Sequence, residues 1–267
     1  MSNRISSAYN TYSKMLNPAF REKVEGIIDQ WEREFYESMP GAQDMLDPDK
    51  FSIDFYKRQT IETILRIGLK RAVDPLIANY WATRDPVLCK QWGLYGAEEG
   101  LHTQMFAKDL IKIGMTEEEI YGTQPTFATE LLNGYFYYTM ETEGPLAAMV
   151  SGFYLETIAS RTQPNWLDAI ERHIDKSATK GQRAHLQVDE VDEHADMVWN
   201  MIMRVIETPE DEQRFLHHMV KINALFQAYF VEITSMMMKG EADQVQVITA
   251  ATRMNQKHQH IAEEHVG

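Results

Sequence analysis

Glu99 and His102 stand three positions apart in the middle of the chain, a carboxylate and an imidazole at Glu-x-x-His spacing. Successive residues of an α-helix turn by about 100°, so side chains three, four or seven apart share a face. Both groups could therefore point at one ion from a rigid scaffold, with Tyr95 and Phe106 on the same side. Iron and manganese sites inside helical bundles are built from such pairs. The same spacing also arises in solvated surface pairs, so its meaning depends on its neighbours in space.

A denser segment runs from His185 to Asp196. On an ideal helix His185, Asp189, Asp192 and Asp196 lie within about 60° of one another. Their stripe adjoins an apolar face of Val188, Val191, Ala195, Trp199 and Ile202, so part of it should be buried. Burying like-charged carboxylates is costly unless a cation compensates, because desolvation and repulsion both disfavour the ionised forms. A metal would resolve the conflict; a solvated acidic stripe carrying one histidine is the alternative. A third carboxylate, Glu156, is the first acidic residue after the uncharged run Gly144 to Leu155, and reads either as a helix end meeting solvent or as a buried ligand. Together the three segments hold the inventory of a carboxylate-bridged dinuclear site. Oxygen and imidazole donors without thiolate favour iron or manganese over a cysteine-rich zinc site.

Helices must position these groups. Proline is comfortable in the first turn of a helix and disruptive inside one. Asn17-Pro18 opens a segment reaching about Ser38, Asp85-Pro86 one reaching about Ile113, and Thr208-Pro209, with Asp211 behind it, one reaching about Lys239. Thr116 with Glu119 has capping-box spacing. Further helical stretches are expected at roughly 50–73, 75–82, 126–142, 145–161, 164–177, 180–206 and 241–264. No segment shows sustained apolar/polar alternation with hairpin turns, so the fold class is all-α. No linker or repeat divides the chain, which predicts one helical domain over 1–267, with residues 1–15 a loosely ordered leading segment.

The 267 residues carry a net charge of −14 with no basic patch, which argues against nucleic acid as a partner. No apolar run approaches the roughly 20 residues needed to cross a bilayer, so no membrane partner is expected. Residues Met1 to Tyr12 lack the apolar run of a secretory signal, and the single Cys89 excludes an internal disulfide framework. A reducing cytoplasm is the expected compartment. Cys89 itself has no activating base nearby in sequence and reads as a buried, inert thiol. His217, His218, His258 and His260 are expected in solvent, and Met236, Met237 and Met238 in packing roles.

The segments Arg84-Asp85-Pro86, Glu99-x-x-His102, Leu131-Leu132-Asn133-Gly134-Tyr135-Phe136, Pro145-Leu146-Ala147 through Glu156, and His185-x-x-x-Asp189 occur in a telling order. Over roughly residues 75–235 the chain resembles the haem-oxygenase-like di-iron oxidases, iron-containing relatives of the TenA/PqqC-like helical fold. Its Glu-x-x-His spacing looks most like that of the 1-alkene-forming fatty-acid decarboxylases among them. The resemblance implies a haem-oxygenase-like helical bundle and the metal ligands Glu99, His102, Glu156, His185 and Asp189. Where the family pattern has a final histidine, this chain has Asp192. Asp192 is the expected sixth ligand; His194, brought inward with Glu190 by a local π-bulge, is the alternative.

The same resemblance implies two iron ions, with manganese admissible at one position, O2 as cosubstrate and an external reductant. The substrate would be a small amphipathic molecule undergoing oxidative C–C cleavage, N-oxygenation or hydroxylation, lined by Tyr135, Tyr138, Met149, Phe153 and Trp199. Tyr95 would stand behind Glu99 as a hydrogen-bond donor or electron source, or be an ordinary core tyrosine. A homodimer is compatible with this reading. Haem is disfavoured, because the haem-binding members use a histidine in the first helix and the earliest here is His102. Three rivals remain: a metal-free PqqC/TenA-like enzyme, a helical partner protein with an acidic contact stripe, and a ferritin-like bundle recruiting Glu62.

Overall fold

Capping chemistry sets where the helices begin. The computed structural model describes residues 16–39, 41–47, 49–192 and 194–239, leaving aside the side chains at 188–192, 238 and 239. Helix α1 (Pro18–Ser38) starts after Asn17, whose side chain accepts from the Phe20 amide. Helix α2 (Ile53–Lys70) is capped by Ser52, and α3 (Asp74–Trp81) follows after a short turn. Asp85 caps α4 (Pro86–Glu99) by accepting from the Val87 and Leu88 amides, and is itself held by Arg204 at 2.7 Å. Helix α5 (His102–Lys112) leads to the short α6 (Glu117–Tyr121), where Thr116 and Glu119 form the expected capping box. Helices α7 (Phe127–Thr142) and α8 (Leu146–His173) precede a 3-10 turn (Lys176–Thr179). Helices α9 (Lys180–Asp192), α10 (His194–Met203) and α11 (Pro209–Lys239) complete the fold. There is no strand among the described residues, and no helix there is long and apolar enough to cross a membrane.

Two boundaries differ from the sequence reading. The stretch expected as a single helix at 85–113 is divided at Gly100-Leu101, whereas 180–206 is helical over Lys180–Asp192 and His194–Met203, with position 193 outside the described residues. Conversely, 145–161 and 164–177 are largely one helix, α8, with Pro164 inside it. Pro164 lacks the amide that would bond the residue 160 carbonyl. Burial of Leu167, Ala169 and Ile170 in the turns after it offsets that loss. The expected helix at 241–264, the segment 1–15, and His258 and His260 lie outside the described residues.

Helix α8 is the axis. From Leu146 to Tyr154 every residue is buried, as expected for a helix enclosed on all sides. Its first half belongs to an aromatic core in which Phe153 meets Trp199 at 5.1 Å and Phe215 at 6.0 Å. Its second half contributes Leu167 and Ile170 to a separate cluster with Tyr56, Ile64, Phe106 and Leu110. Glu156, Ala159 and Gln163 lie between the two, so the middle of the axis helix is where polar side chains can be held inside the protein.

Glu62 is fully buried, but its work is structural. It accepts from the Thr126 amide at 3.0 Å and hydroxyl at 2.9 Å and pairs with Arg58 at 2.6 Å, fastening α2 to the start of α7. It joins neither donor group described below, so the ferritin-like arrangement is not the one this chain adopts.

His217 is exposed as expected, whereas His218 is buried, a correction with a clear cause. Adjacent helical residues point about 100° apart, so one faces water while the other meets Tyr135, whose hydroxyl lies 2.7 Å from Nδ1. Burial lowers the His218 pKa from 6.5 to about 4, although Glu143 nearby opposes the shift. The unfolded chain takes up this proton near its ordinary value and the native protein only near the lowered one, so stability falls as the pH drops through that window. After allowance for solvent screening the loss is about 1–2 kcal/mol. A His218→Phe protein should show a flatter decline of its urea midpoint across the same window; an identical decline would refute the assignment.

Candidate metal centre

The candidate ligands come from three places in the chain. Glu98 and Glu99 end α4, and His102 begins α5. His185 lies in α9 and His194 begins α10. Glu156 comes from the middle of α8, buried, with Tyr95 donating a 2.8 Å hydrogen bond to its Oε1. Gly152, one turn before Glu156, lies beside this contact, and a Cβ there would stand at ordinary van der Waals distance, 3.4 Å, from the Tyr95 hydroxyl. Burial, with Glu156, Glu99 and Asp74 nearby, pushes the Tyr95 pKa well above its ordinary 10.0. Tyr95 therefore keeps its proton and acts as a donor.

Helix α9 is docked by its amide end. Asp109 accepts from the Gly181 and Gln182 amides at 2.7 and 2.9 Å, and Gln182 donates to Tyr56 at 2.8 Å. Burial raises the Asp109 pKa despite these bonds. Helix α9 approaches α5 so closely that a Cβ on Gly181 would stand 2.3 Å from the Met105 carbonyl oxygen. One turn further on, the His185 ring lies 4.0 Å from that of His102 and 5.2 Å from Phe106.

Two donor groups result. Glu99, His102 and His185 offer ligand atoms all within 4.8 Å of one another, and so do Glu99, Glu156 and His194. Glu99 belongs to both. Its Oε2 lies 2.9 Å from His102 Nδ1, while its Oε1 lies 3.7 Å from His194 Nδ1. The opposite nitrogen of His194 faces Glu98 at 3.3 Å. His194 is fully buried, and the set contains only carboxylate and imidazole. Such a donor set fits iron or manganese by its chemistry, and a carboxylate with one oxygen toward each group has the disposition of a bridge.

The profile of a family described as iron-containing redox enzymes matches residues 84–226, more than half of the chain and the span that holds every one of these side chains. The chain belongs to that family. As an iron-containing redox enzyme, it is also similar in structure to a domain of unknown function with a heme oxygenase-like fold from Shewanella denitrificans OS217. The TM-score is 0.72 at 21% identity, over 83% of this chain and 96% of that one, a likeness of fold. No curated protein matches the chain.

Among the expected ligands of this iron-containing redox enzyme, Glu99, His102, Glu156 and His185 come together. Of the two residues weighed for the remaining place, His194 is found in the cluster. The side chains of Asp189 and Asp192 lie outside the described residues. On an ideal helix His194 would project away from His185, yet its ring lies beside Glu98 and Glu99. Cys89 is partly exposed rather than buried, and belongs to neither donor group.

The expected substrate lining is corrected. Met149, Phe153 and Trp199 are sealed in the main core, Tyr135 pairs with His218, and Tyr138 is 63% exposed. The cavity beside Glu99, Glu156 and His185 is instead lined along α8 by Gly152, Glu156, Ala159 and Gln163, at helical spacing. Across from them, α2 presents Thr63, Arg66, Ile67 and Lys70. The most apolar half of α8 cannot serve as the wall, because it is enclosed completely. Lys70 bonds Asp74 at 2.7 Å, and Asp74 also accepts from Trp92.

Because Gly181 sets the approach of α9, Gly181→Ala should destabilise the protein by about 1–3 kcal/mol. Gly26→Ala, in an exposed helical position with nothing within 4 Å of the added Cβ, should be neutral or stabilising by up to about 1 kcal/mol. Urea denaturation of both variants checks the contrast, and equal midpoints would contradict the close approach.

Proposed function

We propose that this protein is a non-haem di-iron oxidase or oxygenase that uses O2 on a small amphipathic substrate. The observation that carries the reading is the sharing of Glu99 between two donor groups. One ion would be held by Glu99, His102 and His185, the other by Glu99, Glu156 and His194. Asp189, one helical turn after His185, is the further ligand expected on the first ion. Manganese is admissible at one position. Bound iron supplies reductive activation of O2, with electrons drawn from an external reductant.

The residues of the chain do the rest. Glu156 accepts the Tyr95 proton in a hydrogen bond, which restricts the carboxylate to one orientation. Glu98 faces the second nitrogen of His194 and favours the tautomer that presents the first to the cluster. The burial of His102, Glu156, His185 and His194 keeps bulk water from the donor atoms, so charge interactions there are strong. A metal-free enzyme or a partner protein with an acidic contact stripe would have no comparable use for buried carboxylates and imidazoles gathered around one shared glutamate.

Anaerobic loading with ferrous iron followed by elemental analysis tests the proposal. The expected result is two irons per chain, one for each donor group. Glu99→Ala should lose both, and His194→Ala or His185→Ala should lose one. A transient visible absorption should follow mixing of the loaded protein with O2 and be absent from Glu156→Ala. Iron content unchanged in Glu99→Ala, or turnover that persists after chelation, would overturn it.

A further inference from the structure

The cavity beside the donor cluster does not end there. It shares Thr63, Arg66, Ala159 and Gln163 with a second, more apolar cavity of about 120 Å³. The two are ends of one channel between α2 and α8. On α2 the lining residues Gln59, Thr63, Arg66 and Lys70 recur at spacings of four, three and four, and on α8 Gly152, Glu156, Ala159 and Gln163 do the same. Each helix therefore gives the channel a single stripe. The outer end is an aromatic chamber whose walls include Trp31 and Phe35 from α1, Trp166 from α8, and Phe226 and Phe230 from α11.

Arg66 sits at the junction. Its guanidinium lies 4.8 Å from the centroid of the Phe226 ring and feels the carboxylates of Glu62 and Glu156 through space, with no hydrogen bond among the described residues. The nearby cations differ: Lys70 is bonded to Asp74 and Arg71 to Thr103. A guanidinium has donors in a planar fork that matches a carboxylate, and Arg66 lines both cavities. Glu32 is the one acidic side chain lining the outer chamber. The volume is close to that of engineered apolar cavities that admit a benzene ring, and aromatic walls favour a ring by edge and offset contacts. Arg66 and α1 lie outside the span matched by the family profile.

We propose that this channel binds an aromatic carboxylate, with its carboxylate on the Arg66 fork and its ring in the aromatic chamber. The site would make Arg66 the residue that selects anionic substrates. This deepens the oxidase reading, which supplies the reaction, but the binding itself needs no metal.

Isothermal titration of the chelator-treated full chain with 3-phenylpropanoate, benzyl alcohol and hexanoate is the test. Phenylpropanoate should bind, and hexanoate more weakly by at least about fivefold. Arg66→Gln should weaken phenylpropanoate by roughly tenfold or more and Arg66→Lys by less, while benzyl alcohol changes by under about twofold in either. Unchanged phenylpropanoate affinity in a folded Arg66→Gln protein would overturn the proposal, as would hexanoate binding as tightly or no binding by roughly 10 mM. Should Arg66→Gln fail to fold, Arg66→Lys against the native chain decides, because a lysine cannot reproduce the bidentate fork. Iron stoichiometry, measured separately, is expected to be the same in Arg66→Lys, so failure here and failure of the di-iron reading are distinct results.

Discussion

The protein buries carboxylates beside imidazoles in the middle of an apolar fold, and most of its architecture can be understood as the means of doing so. Glu99, Glu156, His102, His185 and His194 converge within a few ångströms, drawn from the ends of α4, α5 and α10 and from within α8 and α9. Desolvation and repulsion would scatter such a group in a loosely packed protein. Here two aromatic and aliphatic clusters hold the axis helix from either side, and the polar middle of that helix is carried between them.

Hydrogen bonds from the surrounding helices add orientation to this confinement. Tyr95 holds Glu156 by a hydrogen bond beside Gly152, and Asp109 fixes the amide end of α9 so that His185 meets His102. Glu62, which in isolation could be mistaken for a further ligand, is spent on the cap of α7. Similar residue types thus serve opposite ends. Glu62 is saturated by amide, hydroxyl and guanidinium donors, whereas Glu99 faces two imidazoles from different helices.

Much of this was legible in the chain. Proline and capping residues marked where α1, α4, α6 and α11 begin, because those rules are local. Glu99 and His102 could be paired by spacing, and Glu156 by its place after an uncharged run. The division at Gly100-Leu101 was not legible, because those residues carry no proline, and rotation along an ideal helix gives no sign that His194 stands beside Glu99. Arg66 and Glu98 were missed for a related reason. Arg66 gains meaning only from a cavity formed by α1, α8 and α11, distant in sequence, and Glu98 only from the way α10 enters. The regular spacing of Gln59, Thr63, Arg66 and Lys70 on α2 was the one local sign, and it resembles any polar stripe.

His102 is the first residue of its helix, and the residue before it provides no side-chain cap. The opening residues of a helix have amides without an intrahelical acceptor, so their backbone is less tightly tied than that of the turns behind them. An imidazole mounted there can follow a small change in the radius or charge of what it grips, while the helix axes stay anchored in the two apolar clusters. Compliance is thereby confined to a tip of the scaffold, and a cycle of oxidation and reduction need not be transmitted as strain to the body of the protein.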